Sequence, residues 1–253
     1  MRLDKKFILA PIAAAVMLIG APAHAVPALQ LDIAGGTYDT ATQTIFASGN
    51  AFSLYAYGTP STNMTSSQIL ADNFFLSMAL VGTSSIPSTP ANYGSFTVNS
   101  TTVNVTSGMI YGTPPIETVL GGAAKDPGDL APHAIFPTYF AEKKFNFVSG
   151  NQSGVYNTQD HAGWGPQSGT GMYYAKFDFN IAGLAAGYGI HFDFYNEILL
   201  KGGDIDVNKF APFSHDAQGT VHVSPIPEPE TYAMLLAGLG LMGFIARRRR
   251  IKQ

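Results

Sequence analysis

The chain contains no cysteine. That excludes disulfides, cysteine-ligated zinc, thiol nucleophiles and a lipidated N-terminal cysteine. Charge is scarce as well, with only 12% Asp, Glu, Lys and Arg, about half the usual share. Basic residues are scarcest in the middle of the chain. Eight of the 14 Lys and Arg sit at the two ends, which leaves six against fourteen acidic residues in the body, a balance near −8. Nucleic acid needs a basic face, so it is excluded as a partner. A negative body suits an extracellular, a cation-binding or simply a soluble protein. Catalytic signatures are missing too: there is no GxSxG elbow for an acyl-transfer serine and no phosphate-cradling glycine loop.

What is present is 46% hydrophobic residues, 27 Gly and 16 Pro, a globular and turn-rich composition. Without its two ends the chain has the length of one domain, or of a single large all-β sandwich. That length buries a sizeable core without staples.

The ends carry the clearest signals. Residues 1–25 read as a secretory signal peptide. Arg2, Lys5 and Lys6 precede an apolar run from Phe7 to Gly20, and Ala23 and Ala25 are the small residues a signal peptidase requires. At the other end, Pro227-Glu228-Pro229 leads into an apolar stretch from Tyr232 to Ala246 and then Arg247, Arg248, Arg249 and Arg250. Such a segment predicts a transmembrane helix over 231–253 with a basic cytoplasmic tail, which places the body outside by the positive-inside rule. Fifteen apolar residues span about 22 Å of helix, short of the ~30 Å hydrocarbon core, so the arginines must snorkel.

The run from Ile226 through Pro227-Glu228-Pro229, the glycine-containing apolar stretch and the arginine cluster resembles the PEP-CTERM sorting domain. The resemblance implies a Gram-negative bacterium, recognition by an exosortase, loss of the tail, and association with extracellular polymeric substance or the outer surface. Pro227, Glu228 and Pro229 would then be substrate residues for another enzyme. The body, through Pro27 to Leu31, Pro132 to Tyr139 and Lys209 to Ala217, is similar to exported proteins of the choice-of-anchor type. That likeness implies a surface protein and carries no catalytic residues.

Within the body, 26–223, apolar residues alternate with polar ones as in half-buried strands. Leu29, Leu31 and Ile33 flank Gln30 and Asp32; Phe52, Leu54 and Ala56 oppose Ser53, Tyr55 and Tyr57; Ile190, Phe192 and Phe194 oppose His191, Asp193 and Tyr195. Asn73 to Val81 is apolar on both faces and predicts a central strand, while Ser66 to Phe75 allows a short helical turn. The expected fold is an all-β, jelly-roll-like antiparallel sandwich, followed by a Pro/Glu spacer at 224–230.

Three places in the body could bind something. Asp204, Asp206 and Asn208, with Asp216 beyond, offer oxygens at the alternate spacing of calcium loops. However, Lys209 stands where an EF-hand needs glycine, and a polar strand edge explains the same pattern. Asp160, His161 and Trp164 lie in a glycine-rich loop that could stack on a sugar ring or simply be pinned by a buried tryptophan. Five body histidines, His133, His161, His191, His215 and His222, show no HxH or HExxH spacing. Packing, rather than zinc, is therefore their expected role. The expectation overall is a non-enzymatic surface or matrix protein with no cofactor unless calcium binds. Its processing partners are signal peptidase and exosortase, with exopolysaccharide as a candidate contact. A carbohydrate- or calcium-binding module and a secreted hydrolase are the alternatives.

Overall fold

The computed structural model describes residues 25–116, 130, 133, 135–201 and 203–221. The signal peptide before Ala25, the spacer with Pro227, Glu228 and Pro229, the apolar segment and Arg247 to Arg250 lie outside the described residues, as do Ala23, Gly202 and His222. Among the described residues no helix is long and apolar enough to cross a membrane.

Aromatic and branched side chains at every second position fill one face of a pleated strand, and the body uses that rule throughout. Fourteen strands, numbered along the chain, form two sheets among the described residues. The first sheet runs β1 (Leu29–Ile33), β4 (Ala51–Gly58), β11 (Gly171–Asn180), β6 (Ser95–Val98), β7 (Thr101–Asn104), with β10 (Gln152–Gly154) also on β11. The second begins β2 (Thr37–Asp39), β3 (Thr44–Phe46), β14 (Asp216–Thr220), β12 (Gly189–Leu199). It continues β5 (Phe74–Val81), β9 (Thr138–Phe145), β8 (Ile110–Gly112), and β13 (Ile205–Phe210) forms a hairpin with β12. One short helix, α1 (Ser66–Ala71), starts on a capping box between Thr65 and Gln68 and buries Ile69.

The inner faces of the two sheets share one core. Leu31, Leu54, Phe177 and Phe179 come from the first sheet, and Leu76, Met78, Phe192 and Phe194 from the second. Phe192 sits where they meet, its ring centroid 4.6 Å from Phe179 and 6.0 Å from Phe52. β5 lies between β12 and β9, and most residues on both of its faces are buried.

Two expectations need correction. The sheets are not wholly antiparallel: β14 runs parallel to β3, with Asp216 opposite Thr44. These strands come from opposite ends of the body, so no hairpin sets their direction. Nor are all the alternating strands half-exposed: β11 is, with Phe177 and Phe179 buried and Asp178 and Asn180 exposed, but β1 and β12 are not. Gln30 and Asp32 on β1, and His191 and Asp193 on β12, are as buried as their apolar neighbours. Loops cover the outer face at these positions, as the Gly163–Gly165 loop does over Asp32, and polar groups that periodicity assigns to water lie beneath them.

Candidate functional site

Successive side chains of a strand alternate between faces, so His191 and Asp193 share the outer face of β12. β14 runs beside them. Gln218 lies opposite His191 in the ladder, and Asp216 follows one step beyond the Phe192–Ala217 pair, level with Asp193. His133 closes the group from above. Its ring stacks on Phe213 at 4.3 Å, meets Phe136 edge-on at 5.5 Å and faces His191 at 5.2 Å.

The polar atoms of these four residues converge. His133 Nε2 is 3.0 Å from Asp193 Oδ1 and 3.3 Å from His191 Nε2. His191 Nε2 is 3.7 Å from Asp193 Oδ1 and 3.5 Å from Asp216 Oδ2. One ligand atom from each residue fits within a sphere of contacts no wider than 4.8 Å. Close approach is not the same as hydrogen bonding here. Both carboxylate oxygens of Asp193 and Oδ1 of Asp216 are buried without a hydrogen bond of acceptable geometry. Buried carboxylates are normally satisfied, because an unmet one costs kilocalories.

Around the cluster the supporting contacts are orderly. His191 Nδ1 is 3.4 Å from Gln218 Oε1, and Gln218 Nε2 donates to Thr220 Oγ1 at 3.3 Å, which turns Oε1 towards the ring. Gln218 Oε1 thus faces a proton on His191 Nδ1, which turns the Nε2 edge of the ring into the cluster. Burial alone would discharge His191, but the charges of Asp193 and Asp216 outweigh it and push the imidazolium up to about 10. Burial also raises Asp216, and the His191 contact only partly opposes it. At Asp193 burial acts upward too, yet His191 and His133 hold the carboxyl below its ordinary value. The cluster draws in positive charge to offset two buried carboxylates.

The structure distributes the sequence candidates differently from their spacing. Asp206 on β13 lies opposite Ile198, and Asp204 and Asn208 are exposed beside it. Asp216 does not join them. It sits at the level of Asp193, five residues back along β12, about 16 Å away at ordinary strand rise. His215 is the packing histidine that was expected, buried between Ser214 Oγ at 2.9 Å and Asn157 Oδ1 at 3.0 Å. His133 and His191 converge with Asp193 and Asp216 instead. Their convergence with Asp216 crosses 83 residues of chain and leaves no local spacing. The legible part was the His191-Phe192-Asp193 triplet, which places two donors on one face of a strand.

The Trp164 loop is held by a different buried acid. Asp32 accepts from Gly163 N at 2.7 Å and Gly165 N at 2.9 Å. The Tyr156 hydroxyl is 3.0 Å from Asp32 Oδ2 and 2.9 Å from the Tyr57 hydroxyl. Trp164 itself is not the buried pin: it is 52% exposed, with the His161 ring stacked on it at 3.9 Å. Asp160 and His161 are exposed beside it.

The C-terminal end supplies the match to known proteins. Residues 225–250 match the family model of the PEP-CTERM protein-sorting motif. The motif marks an exported chain, a substrate of an exosortase, that passes through a membrane-associated stage. No curated protein and no solved structure matches the chain.

Proposed function

We propose that this is a non-enzymatic surface protein, delivered by its sorting signal and working through its two-sheet body, a sandwich of jelly-roll kind. The observation that carries the reading is the PEP-CTERM motif at residues 225–250. The rest of the chain supports it. A signal peptide over 1–25 provides entry to the export route, and the apolar stretch with Arg247 to Arg250 provides a temporary hold in the inner membrane. Exosortase then removes the tail near Pro227, Glu228 and Pro229 and leaves the body at the cell surface or in the matrix. A cavity of about 350 Å³ is lined by backbone-rich loop residues such as Gly82, Thr83 and Ser84, without a nucleophile and base in contact.

Intact mass of the protein from cells with and without the exosortase tests this reading. A species starting at Val26 and ending near Pro227, found outside only when the enzyme is present, is the expected result. A species that keeps Arg247 to Gln253 in the membrane whether or not the enzyme is present overturns it.

A second reading rests on Trp164. A half-exposed tryptophan on a loop anchored by Asp32 is a suitable platform for the C–H face of a sugar, as in an exopolysaccharide-binding module. Titration of its fluorescence with polysaccharide from the same cells tests it. An unchanged signal, or an equal response from Trp164→Ala by calorimetry, removes it.

A further inference from the structure

We propose that His133, His191, Asp193 and Asp216 bind one divalent metal ion of the zinc class, in a closed four-ligand site that pins the His133 segment to the eight-stranded sheet.

The geometry comes first. Zinc held by imidazole nitrogens and carboxylate oxygens at 2.0–2.2 Å in a tetrahedron separates its ligand atoms by about 3.3–3.5 Å. Four of the six separations between the ligand atoms of the cluster are 3.0, 3.3, 3.5 and 3.7 Å. They scatter around the edge length such an ion requires.

Hydrogen-bond accounting points the same way. If this were a packing cluster, the carboxylates of Asp193 and Asp216 would accept protons from neighbours in good geometry. Instead three of their oxygens have no such partner, although Asp193 is fully buried and Asp216 is 3% exposed. Of the three, Asp193 Oδ1 lies 3.0 Å from His133 Nε2 and 3.7 Å from His191 Nε2 off the N–H direction, as a co-ligand around a common centre is placed. Gln218 supplies the second requirement. By holding the proton of His191 on Nδ1, it presents Nε2 as a ligand atom, and Thr220 in turn fixes the amide.

Charge and donor type select the metal. Two carboxylates and two neutral imidazoles sum to −2, which one divalent cation neutralises. Calcium and magnesium prefer six or more oxygens, so a compact site with half its donors nitrogen suits them poorly. Mixed imidazole and carboxylate donors in a tetrahedron suit zinc. With four protein ligands and burial of the whole group, no coordination position is left for substrate, and the site is structural. The neighbouring cavity reaches Phe136 and Gln218 but none of the four ligands lines it. The role is that of a staple. Cys is missing from the chain, so no disulfide can tie the His133 segment to the sheet.

The test uses the full chain, purified in detergent, stripped with chelator and titrated with zinc and with cobalt(II). The expected result is one zinc per folded chain, a raised unfolding temperature, and the intense visible bands of four-coordinate cobalt(II). Gln218→Ala weakens zinc binding about 10- to 100-fold, and His133→Ala weakens it more. Asp204→Asn leaves it unchanged. His133 lies on the covering segment rather than in a strand, so that variant keeps the sheet, which circular dichroism verifies. Folded wild-type chain that retains no zinc overturns the proposal. So does zinc held equally well by His133→Ala and His191→Ala, or a cobalt complex with the weak bands of six-coordination.

Discussion

Asp32 and Asp193 are both fully buried acids on strands whose alternation assigns them to water, and the two are satisfied in opposite ways. Asp32 collects donors from a loop, the N–H groups of Gly163 and Gly165. Asp193 collects ring nitrogens and no well-formed hydrogen bond. For Asp32, burial raises the carboxyl above its ordinary value, and the Gly163, Gly165 and Tyr156 contacts only temper that shift. A folded-state value above the unfolded one means the native chain holds the proton longer. The stability Asp32 contributes is thus greatest below pH ~4 and declines as pH rises through the native value. Asp32→Ala leaves two backbone N–H groups unmet and is expected to cost about 1–3 kcal/mol. Denaturant unfolding of both proteins between pH 4 and 7 checks this, because the other acids titrate in both and cancel. The gap must narrow as pH rises; a constant or widening gap contradicts the upward shift.

Among the elements, the loop that carries Trp164 shows how backbone rather than side-chain chemistry sets a surface. Gly163 has φ +85°, and a Cβ there would lie 2.5 Å from the Gly36 carbonyl oxygen. Both the left-handed conformation and the backbone contact exclude a side chain. Gly163→Ala is therefore expected to cost about 1–3 kcal/mol and to detach the loop from β1. Since the chain has one Trp, its emission reads that loop alone. A red shift with lowered stability is the expected outcome, and an unchanged spectrum and midpoint would show that the loop is not held this way. Elements also explain what periodicity could not reveal. β9 carries Glu142, Lys143 and Lys144 in succession, which breaks the apolar alternation. Its identity comes from pairing with β5 on one side and β8 on the other. α1, by contrast, is readable locally, because Thr65 and Gln68 have the spacing of a capping box.

At the scale of the whole molecule, the two sheets stand or fall together at Phe192, whose ring contacts Phe52 and Phe179 across the core. Phe192→Ala is expected to cost about 3–5 kcal/mol, with one cooperative transition still reported by circular dichroism and by Trp164 fluorescence. Separate transitions would mean that the sheets unfold independently. That the chain carries a sorting signal for export was legible in its residues alone. Sorting signals are read by other proteins as short linear segments, so Pro227 to Pro229 and Arg247 to Arg250 need no fold to be recognised, and the match over 225–250 agrees. The all-β class was legible as well, since a pleated strand imposes its period of two on the residues that build it. Tertiary structure alone decided which polar faces are covered. Local periodicity records that Gln30, Asp32, His191 and Asp193 point away from the core, but not that a loop from elsewhere in the chain closes over them. It also decided that His133 and Asp216 meet on β12, because a parallel pairing and a covering segment bring together residues whose separation in sequence carries no spacing to read.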